Sequence, residues 1–246
     1  MSNVQLAPPE TCRQQSTAEE RLLRREIVHY TRALAKGGFA PGTAGNVSAR
    51  LAPDRILITP TGRSKASIRK GDVITVNMAG QRLAGTASPS SELAMHLAIY
   101  WHRPDVAAVI HAHPPVATAF ACCGKALDRV LCQEAAMTIG PVPLAAYATT
   151  GTAQVASHLL QYLPDHDAIL LANHGAVAYG PSVEKAFHNL EVLEHLAQVH
   201  LIAHQLGSPV YLEQDQLEAL QRSRHAYLID RNRDTGTAFS DAPPYL

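Results

Sequence analysis

The sequence predicts an α/β fold in which a mixed β-sheet is flanked by helices. The chain has 246 residues, of which 46% are hydrophobic and 17% charged, and this suffices for a large buried core. Short apolar segments typical of strands alternate with longer segments whose apolar residues recur at helical spacing. Several neighbouring strands are separated only by short turns. This argues against a purely parallel sheet, because parallel strands need long crossover connections.

The helices are predicted from apolar periodicity and from residues that begin or end a helix. Residues 17–36 have apolar side chains at helical spacing, with Thr17 as the N-terminal cap and Gly37-Gly38 as the stop. A long amphipathic helix is predicted over residues 183–206, before Gly207. Shorter helices are predicted over residues 92–101, 118–121, 152–163 and 214–225.

The strands are predicted where short apolar runs meet turn residues. Gly80 and Gly85 bracket a hairpin, and a strand follows the segment Thr43-Ala-Gly-Asn-Val-Ser. The polar termini, residues 1–16 and 230–246, are predicted to be flexible, which leaves a single domain over residues 17–229. Further strands are predicted over residues 56–59, 72–76, 106–112, 142–147 and 168–172.

Composition excludes several classes of function. The formal net charge is zero, with 21 basic and 21 acidic residues, so the basic surplus of a nucleic-acid binder is absent. No stretch of about 18 apolar residues predicts a membrane-spanning helix, and the N-terminus lacks a signal-peptide pattern. The four cysteines include no CxxC pair and suggest a reducing compartment. We therefore expect a cytoplasmic protein that binds neither nucleic acid nor membrane.

Two histidines stand at the end of a predicted strand, in the segment Val106-Ala-Ala-Val-Ile-His-Ala-His-Pro. Residues two apart in a strand point to the same side, so His111 and His113 project together, and Pro114 ends the strand. They can share one metal ion, or they can be ordinary histidines satisfied by hydrogen bonds. The apolar run before them favours a metal site, because it places two costly polar groups together at a buried strand tip.

A third ligand is predicted in Ala168-Ile-Leu-Leu-Ala-Asn-His-Gly, where His174 also follows an apolar strand. Gly175 permits a sharp turn that can direct the ring of His174 towards the other two. Three histidines with an open fourth position are typical of a catalytic metal site. Three imidazoles favour Zn²⁺, with Co²⁺ and Mn²⁺ as alternatives. His200 and His204 also have metal-binding spacing, but they lie on the long helix without matching ligands and predict a surface or interface role.

Polar residues at turns and at one helix start predict a site for a phosphate group. Glu92 follows Pro89-Ser90-Ser91, where hydroxyls and free helix N–H groups can bind phosphate and a carboxylate can transfer a proton. Helix capping explains one serine and the glutamate as well. Two further turns expose backbone N–H groups beside glycines, with ordinary turn chemistry as the alternative. The predicted phosphate site consists of Gly45, Asn46, Thr61, Gly62, Ser90 and Ser91.

Five motifs in order, GTAGNVSAR, LITPTG, SPSSE, AAVIHAHP and LLANHG, resemble the class II aldolase/adducin family. Among its members, the L-fuculose-1-phosphate aldolases are the most similar. The resemblance runs from about Glu19 to Leu228 and is much more specific for the family than for a substrate.

The resemblance implies a single three-layer α/β/α domain with a mixed, largely antiparallel central sheet. It also implies a homotetramer with four-fold symmetry and active sites at subunit interfaces. His111, His113 and His174 match the family's zinc ligands, and Glu92 matches the carboxylate that contacts the metal and then acts as acid/base. The six residues of the predicted phosphate site match the family's phosphate-binding positions. The implied reaction is aldol cleavage of a deoxyketose 1-phosphate, a small phosphorylated sugar, to dihydroxyacetone phosphate and a small aldehyde.

The sequence departs from the family at the residue that handles the aldehyde. Fuculose phosphate aldolases have a tyrosine from a neighbouring subunit in the segment where this chain has Leu131-Cys-Gln-Glu-Ala-Ala-Met. Either Glu134 replaces that acid or the substrate differs. Tyr227 falls where the family has another active-site tyrosine, with an apolar helix residue as the alternative reading.

Two other functions compete with the aldolase. The same site can serve a sugar-phosphate epimerase, dehydratase or decarboxylase, although decarboxylases of this type tend to have Thr-Lys-Glu where this chain has Ser-Ser-Glu. A non-catalytic, adducin-like assembly domain is a remote alternative, because such domains lose the three histidines that are present here.

Overall fold

An eight-stranded mixed sheet forms the centre of the protein, whose computed structural model describes residues 10–220 and residue 222. The order across the sheet is β4-β3-β2-β1-β5-β8-β7-β6. Neighbouring strands pair antiparallel except β6 and β7, which are parallel. The predicted mixed, largely antiparallel sheet is confirmed. The strands are β1 Asn46–Ala52, β2 Arg55–Ile58, β3 Ile74–Asn77, β4 Arg82–Ala84, β5 Ala108–Ala112, β6 Leu144–Ala145, β7 Ala168–Leu171 and β8 Gly175–Gly180.

Helices cover both faces of this sheet and complete three layers. Buried residues of α1, α3, α4 and α6 form one apolar cluster with one face of the sheet. Those of α2 and α5 form a second cluster with the other face. The α/β/α prediction is therefore confirmed. The helices are α1 Glu10–Lys36, α2 Leu93–His102, α3 Pro115–Cys122, α4 Gln133–Thr138, α5 Ala153–Leu159 and α6 Val183–Leu206.

Alternation along the central strands decides which side chains face which layer. In β5, Ala108, Ile110 and Ala112 belong to the cluster under α6, whereas Val109 belongs to the cluster under α2. His111 therefore lies on the α2 face, as the period of two requires. Asn46 of β1 is its register partner across the sheet. The α2 face thus carries polar side chains at one end of an otherwise apolar layer.

The structure differs from the predicted elements at a few boundaries. α1 begins at Glu10 instead of residue 17, because residues 10–16 contain no glycine or proline that would stop a helix. α3 begins at Pro115, since proline is well suited to the first helical position. Two elements were not predicted, α4 and β8. The termini 1–9 and 223–246 lie outside the described residues.

The described helices include none that combines the length and the apolar character needed to span a bilayer.

Candidate metal centre

Three histidine side chains meet at one end of the central strands. One ring nitrogen from each of His111, His113 and His174 lies within 4.8 Å of the other two. The Nε2 atoms of His111 and His113 are 3.0 Å apart. His111 is the next-to-last residue of β5, His113 directly follows this strand, and His174 lies between β7 and β8. The structure therefore brings together the three residues that strand patterning predicted as ligands.

The turn that carries His174 depends on two special backbone positions. Asn173 adopts a left-handed conformation with φ of 56°, which asparagine tolerates better than most residues. Gly175 has another role, because a Cβ atom there would lie 2.6 Å from the Ala112 carbonyl oxygen and 2.6 Å from Cδ2 of His113. Glycine is thus needed for close packing of β8 against the end of β5. The prediction that Gly175 supplies the sharp turn is wrong, since Asn173 supplies it.

Burial keeps the central histidine neutral, and a hydrogen bond at its Nδ1 directs Nε2 towards the other members of the cluster. His111 has 0% exposure, and its Nδ1–H donates to the carbonyl oxygen of Ala176 at 2.9 Å. Its pKa lies well below the ordinary value, first because of burial and then because of the neighbouring histidines. Burial also lowers the pKa of His113. Neutral imidazoles whose Nε2 lone pairs converge are suited to a divalent metal ion.

Glu92 faces this cluster from the start of α2. Its Oε2 lies 3.2 Å from Nε2 of His111, and its Oε1 lies 3.4 Å from Nε2 of His174. Asn46 Nδ2 donates to Oε2 at 2.8 Å. Oε1 is buried and has no hydrogen-bond partner among the described residues. A buried acceptor without a donor is costly, so a cation or a proton donor on a substrate fits this position.

Three turns converge beside Glu92 and contain the predicted phosphate residues. Thr61 N–H donates to the Ser88 carbonyl oxygen at 3.1 Å, and Ser90 N–H donates to the Thr59 carbonyl oxygen at 3.2 Å. These bonds hold the turn around Gly62 against the turn around Ser91. The Ser90 hydroxyl accepts a hydrogen bond from Glu92 N–H at 3.3 Å. It therefore does not cap the backbone N–H of the second or third residue of α2.

Gly45, in the third turn, packs directly on β5. Its φ is +76°, and an added Cβ would lie 3.0 Å from the carbonyl oxygen of His111. Gly62 also has a positive φ, of +66°. Both glycines therefore keep conformations that L side chains rarely adopt. Thr61, Gly62 and Ser91 are exposed, which leaves their polar groups accessible to a ligand.

Lys65 is a charged residue of this region that the sequence interpretation missed. Its side chain is almost fully buried, and Nζ donates to the carbonyl oxygens of Thr43 at 2.9 Å and Arg63 at 3.0 Å. Burial lowers its pKa, and the charge of Glu92 opposes that shift. Lys65 thus joins two of the three turns and adds positive charge to them. Its position three residues after Gly62 was the available signal, but surface lysines are common in such turns.

Glu134, one of the two residues predicted for the aldehyde end, is not part of this cluster. Glu134 is exposed in the first turn of α4, which packs against α6. Within the described part of the chain, it makes no hydrogen bond or ion pair with the histidines or with Glu92. Tyr227 lies outside the described residues.

Known proteins resemble this chain in sequence over most of its length. The chain matches the sequence model of the family described as class II aldolase and adducin N-terminal domain over residues 25–201. It is 34% identical over 205 residues to a 5-methylthioribulose-1-phosphate/5-deoxyribulose-1-phosphate aldolase of Rhodospirillum rubrum, covering 83% of this chain and 92% of that protein. It is 35% identical over 188 residues to a 3-oxo-tetronate 4-phosphate decarboxylase of Escherichia coli, covering 74% of this chain and 88% of that protein.

A solved structure shares the fold at a similar level of identity. An L-fuculose 1-phosphate aldolase superposes with a TM-score of 0.76 and 32% identity, covering 80% of this chain and 93% of that one. These relatives are lyases that act on phosphorylated sugars or sugar acids. The likeness extends over nearly their whole length.

Proposed function

The chain belongs to the class II aldolase and adducin family, and from that premise we propose that it cleaves a deoxyketose 1-phosphate to dihydroxyacetone phosphate and a small aldehyde. One observation carries the proposal. Three converging histidines face a glutamate whose Oε1 is buried without a hydrogen-bond partner among the described residues. A structural metal site would be closed by four fixed ligands, whereas here the fourth group is a reactive carboxylate that a substrate can displace.

The proposed metal ligands are His111, His113 and His174, with Glu92 as a further ligand before substrate binds. Zn²⁺ is the proposed ion because three neutral imidazoles suit it, and Co²⁺ or Mn²⁺ are substitutes. When bound, the ion supplies Lewis-acid stabilisation of the negative charge that develops on the substrate oxygens. The protein's own contribution is to hold the rings neutral and converging, through burial and the Nδ1 hydrogen bond of His111.

Glu92 is the proposed acid/base. In the cleavage direction the C4 hydroxyl gives its proton to a second acid/base, the C3–C4 bond breaks, and the electron pair of that bond stays with C3. Glu92, which is protonated at the start of cleavage, then delivers that proton to C3, which becomes a carbon of dihydroxyacetone phosphate. Proton exchange with solvent afterwards restores Glu92 and the second acid/base. In condensation the same carboxylate removes that proton. Its Oε1 is the atom suited to this step, since Oε2 is held by Asn46.

The phosphate group is proposed to bind Gly45, Asn46, Thr61, Gly62, Ser90 and Ser91. Paired turns and accessible backbone N–H groups support this site. Asn46 Nδ2 carries two hydrogens, and Glu92 takes one, so at most one can reach phosphate. Lys65 supplies positive charge behind the turns.

A second acid is needed at the aldehyde oxygen, and Glu134 and Tyr227 are the candidates. Glu134 is exposed and outside the histidine cluster of its own chain. It would therefore act across a subunit interface, in the homotetramer that we propose. The proposal also places the protein in the cytoplasm, where the exposed thiols of Cys122 and Cys123 would stay reduced.

The substrate is proposed to be a short 5-deoxy or 6-deoxy ketose 1-phosphate. The test is release of dihydroxyacetone phosphate from 5-deoxyribulose 1-phosphate, 5-methylthioribulose 1-phosphate and L-fuculose 1-phosphate by the purified protein of measured metal content. Glu92→Gln is the control that should keep metal and lose activity. No release from any of the three by metal-loaded protein would refute aldol cleavage.

Decarboxylation is the second candidate, because the decarboxylase of Escherichia coli is as similar as the aldolases. Release of carbon dioxide from 3-oxo-tetronate 4-phosphate, without release of dihydroxyacetone phosphate from the ketose phosphates, would favour it. Epimerisation or dehydration at the same site would appear in the same assays as consumption of a ketose phosphate without either product.

A further inference from the structure

A row of buried polar side chains lies between β1 and α2, directly behind Glu92. β1 contributes Asn46 and Ser48, and α2 contributes His96 and Tyr100. Their exposures are 3%, 0%, 0% and 2% respectively. The neighbouring residues of both elements are apolar and belong to the core. Buried polar groups at such a position require a reason beyond packing.

These side chains interlock as one hydrogen-bond chain. Asn46 contacts Glu92 through Nδ2 at 2.8 Å and Nε2 of His96 through Oδ1 at 2.5 Å. Nδ1 of His96 lies 2.6 Å from the Ser48 hydroxyl, which lies 2.8 Å from the Tyr100 hydroxyl. We call Tyr100, Ser48, His96 and Asn46 the hydrogen-bond chain.

The geometry follows from two matched periods. Four residues of an α-helix advance about 6 Å, and two residues of a strand advance about 6.7 Å. Residues 92, 96 and 100 of the helix therefore alternate with residues 46 and 48 of the strand along the packed pair. Each side chain of one element falls between two side chains of the other.

The direction of every hydrogen bond follows from the end at Glu92. Asn46 donates to Glu92 through Nδ2, so its Oδ1, which can only accept, faces His96. Nε2 of His96 must then carry the hydrogen, and Nδ1 must accept from Ser48. Ser48 in turn accepts from Tyr100. Burial supports the neutral ring, since it lowers the pKa of His96 to about 3. All donors therefore point towards Glu92.

We propose that His96 is a positioning residue for Glu92, acting through Asn46. This inference rests on the proposed role of Glu92 as acid/base. The hydrogen-bond chain holds Oε2 of Glu92, so that Oε1 faces His174 and the reacting carbon. Successive donors also polarise one another towards the carboxylate. A single fixed orientation is what proton transfer to carbon needs.

A purely structural role explains less. If the hydrogen-bond chain only fastened α2 to β1, apolar side chains of similar volume would do so without the desolvation cost of four buried polar side chains. The hydrogen-bond chain also ends on the Glu92 carboxylate, whose Oε1 has no hydrogen-bond partner among the described residues. A network built for stability alone would end on a satisfied group.

The test compares His96→Phe, which cannot donate or accept, with His96→Gln, whose amide can donate to Asn46 and accept from Ser48. The readout is the exchange of a carbon-bound hydrogen of dihydroxyacetone phosphate with solvent deuterium, which isolates proton transfer from the aldehyde steps. His102→Gln, on the exposed end of the same helix, is the matched control.

We expect His96→Phe to lower kcat for exchange about 10- to 100-fold, with KM and bound metal close to those of the unchanged protein. His96→Gln should recover most of kcat, and the control should not change. An unchanged kcat in His96→Phe would overturn the proposal. A folded, metal-loaded His96→Gln variant whose kcat is no higher than that of His96→Phe would overturn it as well. If the phenylalanine variant does not fold, His96→Asn replaces it, because its shorter amide cannot reach both neighbours.

Two further measurements do not depend on activity. Nitrogen NMR of histidine-labelled protein, with His96 assigned by its loss in His96→Gln, should show a neutral ring protonated at Nε2. The crystal structure of the phenylalanine or asparagine variant should show Glu92 displaced from its orientation. A ring protonated at Nδ1, or an unmoved Glu92, would refute positioning. Absence of exchange in the unchanged protein, with both structural results as expected, would refute the proposed function and leave the positioning role standing.

Discussion

The substitution Gly175→Ala should damage the metal site without changing any ligand. A Cβ atom at this position would lie 2.6 Å from the Ala112 carbonyl oxygen and from Cδ2 of His113. One of these contacts is with backbone and the other with a ring held in the histidine cluster. Neither can yield without moving β5, β8 or His113 itself.

The magnitude follows from the distances. Ordinary van der Waals contact begins at 3.4 Å, so the two strand ends must separate by about 0.8 Å. Metal–ligand distances tolerate about 0.2 Å, which the displacement exceeds several times over. We therefore expect at least a tenfold loss of metal affinity. Overpacking of this kind also lowers the free energy of unfolding by about 1–3 kcal/mol.

The assay is competition for Zn²⁺ against a chelator of known affinity, together with thermal melting of the metal-free protein. Gly71→Ala is the matched control, because an added Cβ there meets nothing within 4 Å and its φ is not positive. The reasoning is refuted if Gly175→Ala binds zinc as tightly as the unchanged protein and melts at the same temperature.

Three other changes test the charges of the site. Glu92→Gln should keep the metal and lower kcat for cleavage about 100- to 10,000-fold, since it removes the acid/base; a rate within tenfold of the original would exclude Glu92 from proton transfer. Lys65→Met should raise KM for the ketose phosphate about tenfold with a smaller change in kcat, because the charge that joins two turns is lost. An unchanged KM would show that Lys65 contributes only to stability. Burial lowers the pKa of His96 from 6.5 to about 3, so between these values only the unfolded chain takes up this proton. The free energy of unfolding of metal-free protein should therefore fall by about 1.4 kcal/mol per pH unit from this residue as the pH is lowered through that window. Urea titrations at several pH values should show a shallower decline in His96→Gln, and an equal slope would contradict the buried neutral ring.

Strand patterning predicted the three members of the histidine cluster, but not the strand arrangement that brings them together. His111 and His113 share a face because they are two residues apart, and an apolar run marked the strand as buried. His174 could be predicted from a similar context on another strand. Their convergence on one point depends on β7 and β8 lying beside β5, and β8 itself was missed. The residues Gly175–Gly180 are wholly buried and include no charged residue, so they show no polar alternation.

The support around Glu92 could not be predicted from the sequence. Ser48, His96 and Tyr100 have ordinary alternatives when read alone, as a strand hydroxyl and two helix residues. Their spacing can be interpreted only once β1 is known to pack along α2. Every second residue of the strand then lies beside every fourth residue of the helix. Lys65 was missed for a similar reason, since its two acceptors are backbone carbonyls that no sequence pattern reveals.

The apolar pattern of the central strands also fixes the register of the functional side chains. Asn46 pairs with His111 across β1 and β5, which places the residue that holds Glu92 beside a predicted metal ligand. A slip of one residue in β1 would turn Asn46 and Ser48 into the opposite layer and bring Val47 to the site. The same slip would place the polar side chains of β1 in the apolar core. The burial of Val47 and Ala49 in that core therefore disfavours it. The hydrophobic alternation that stabilises the sheet therefore also sets the geometry of the acid/base, and substitutions that weaken register in β1 should impair activity before they unfold the domain.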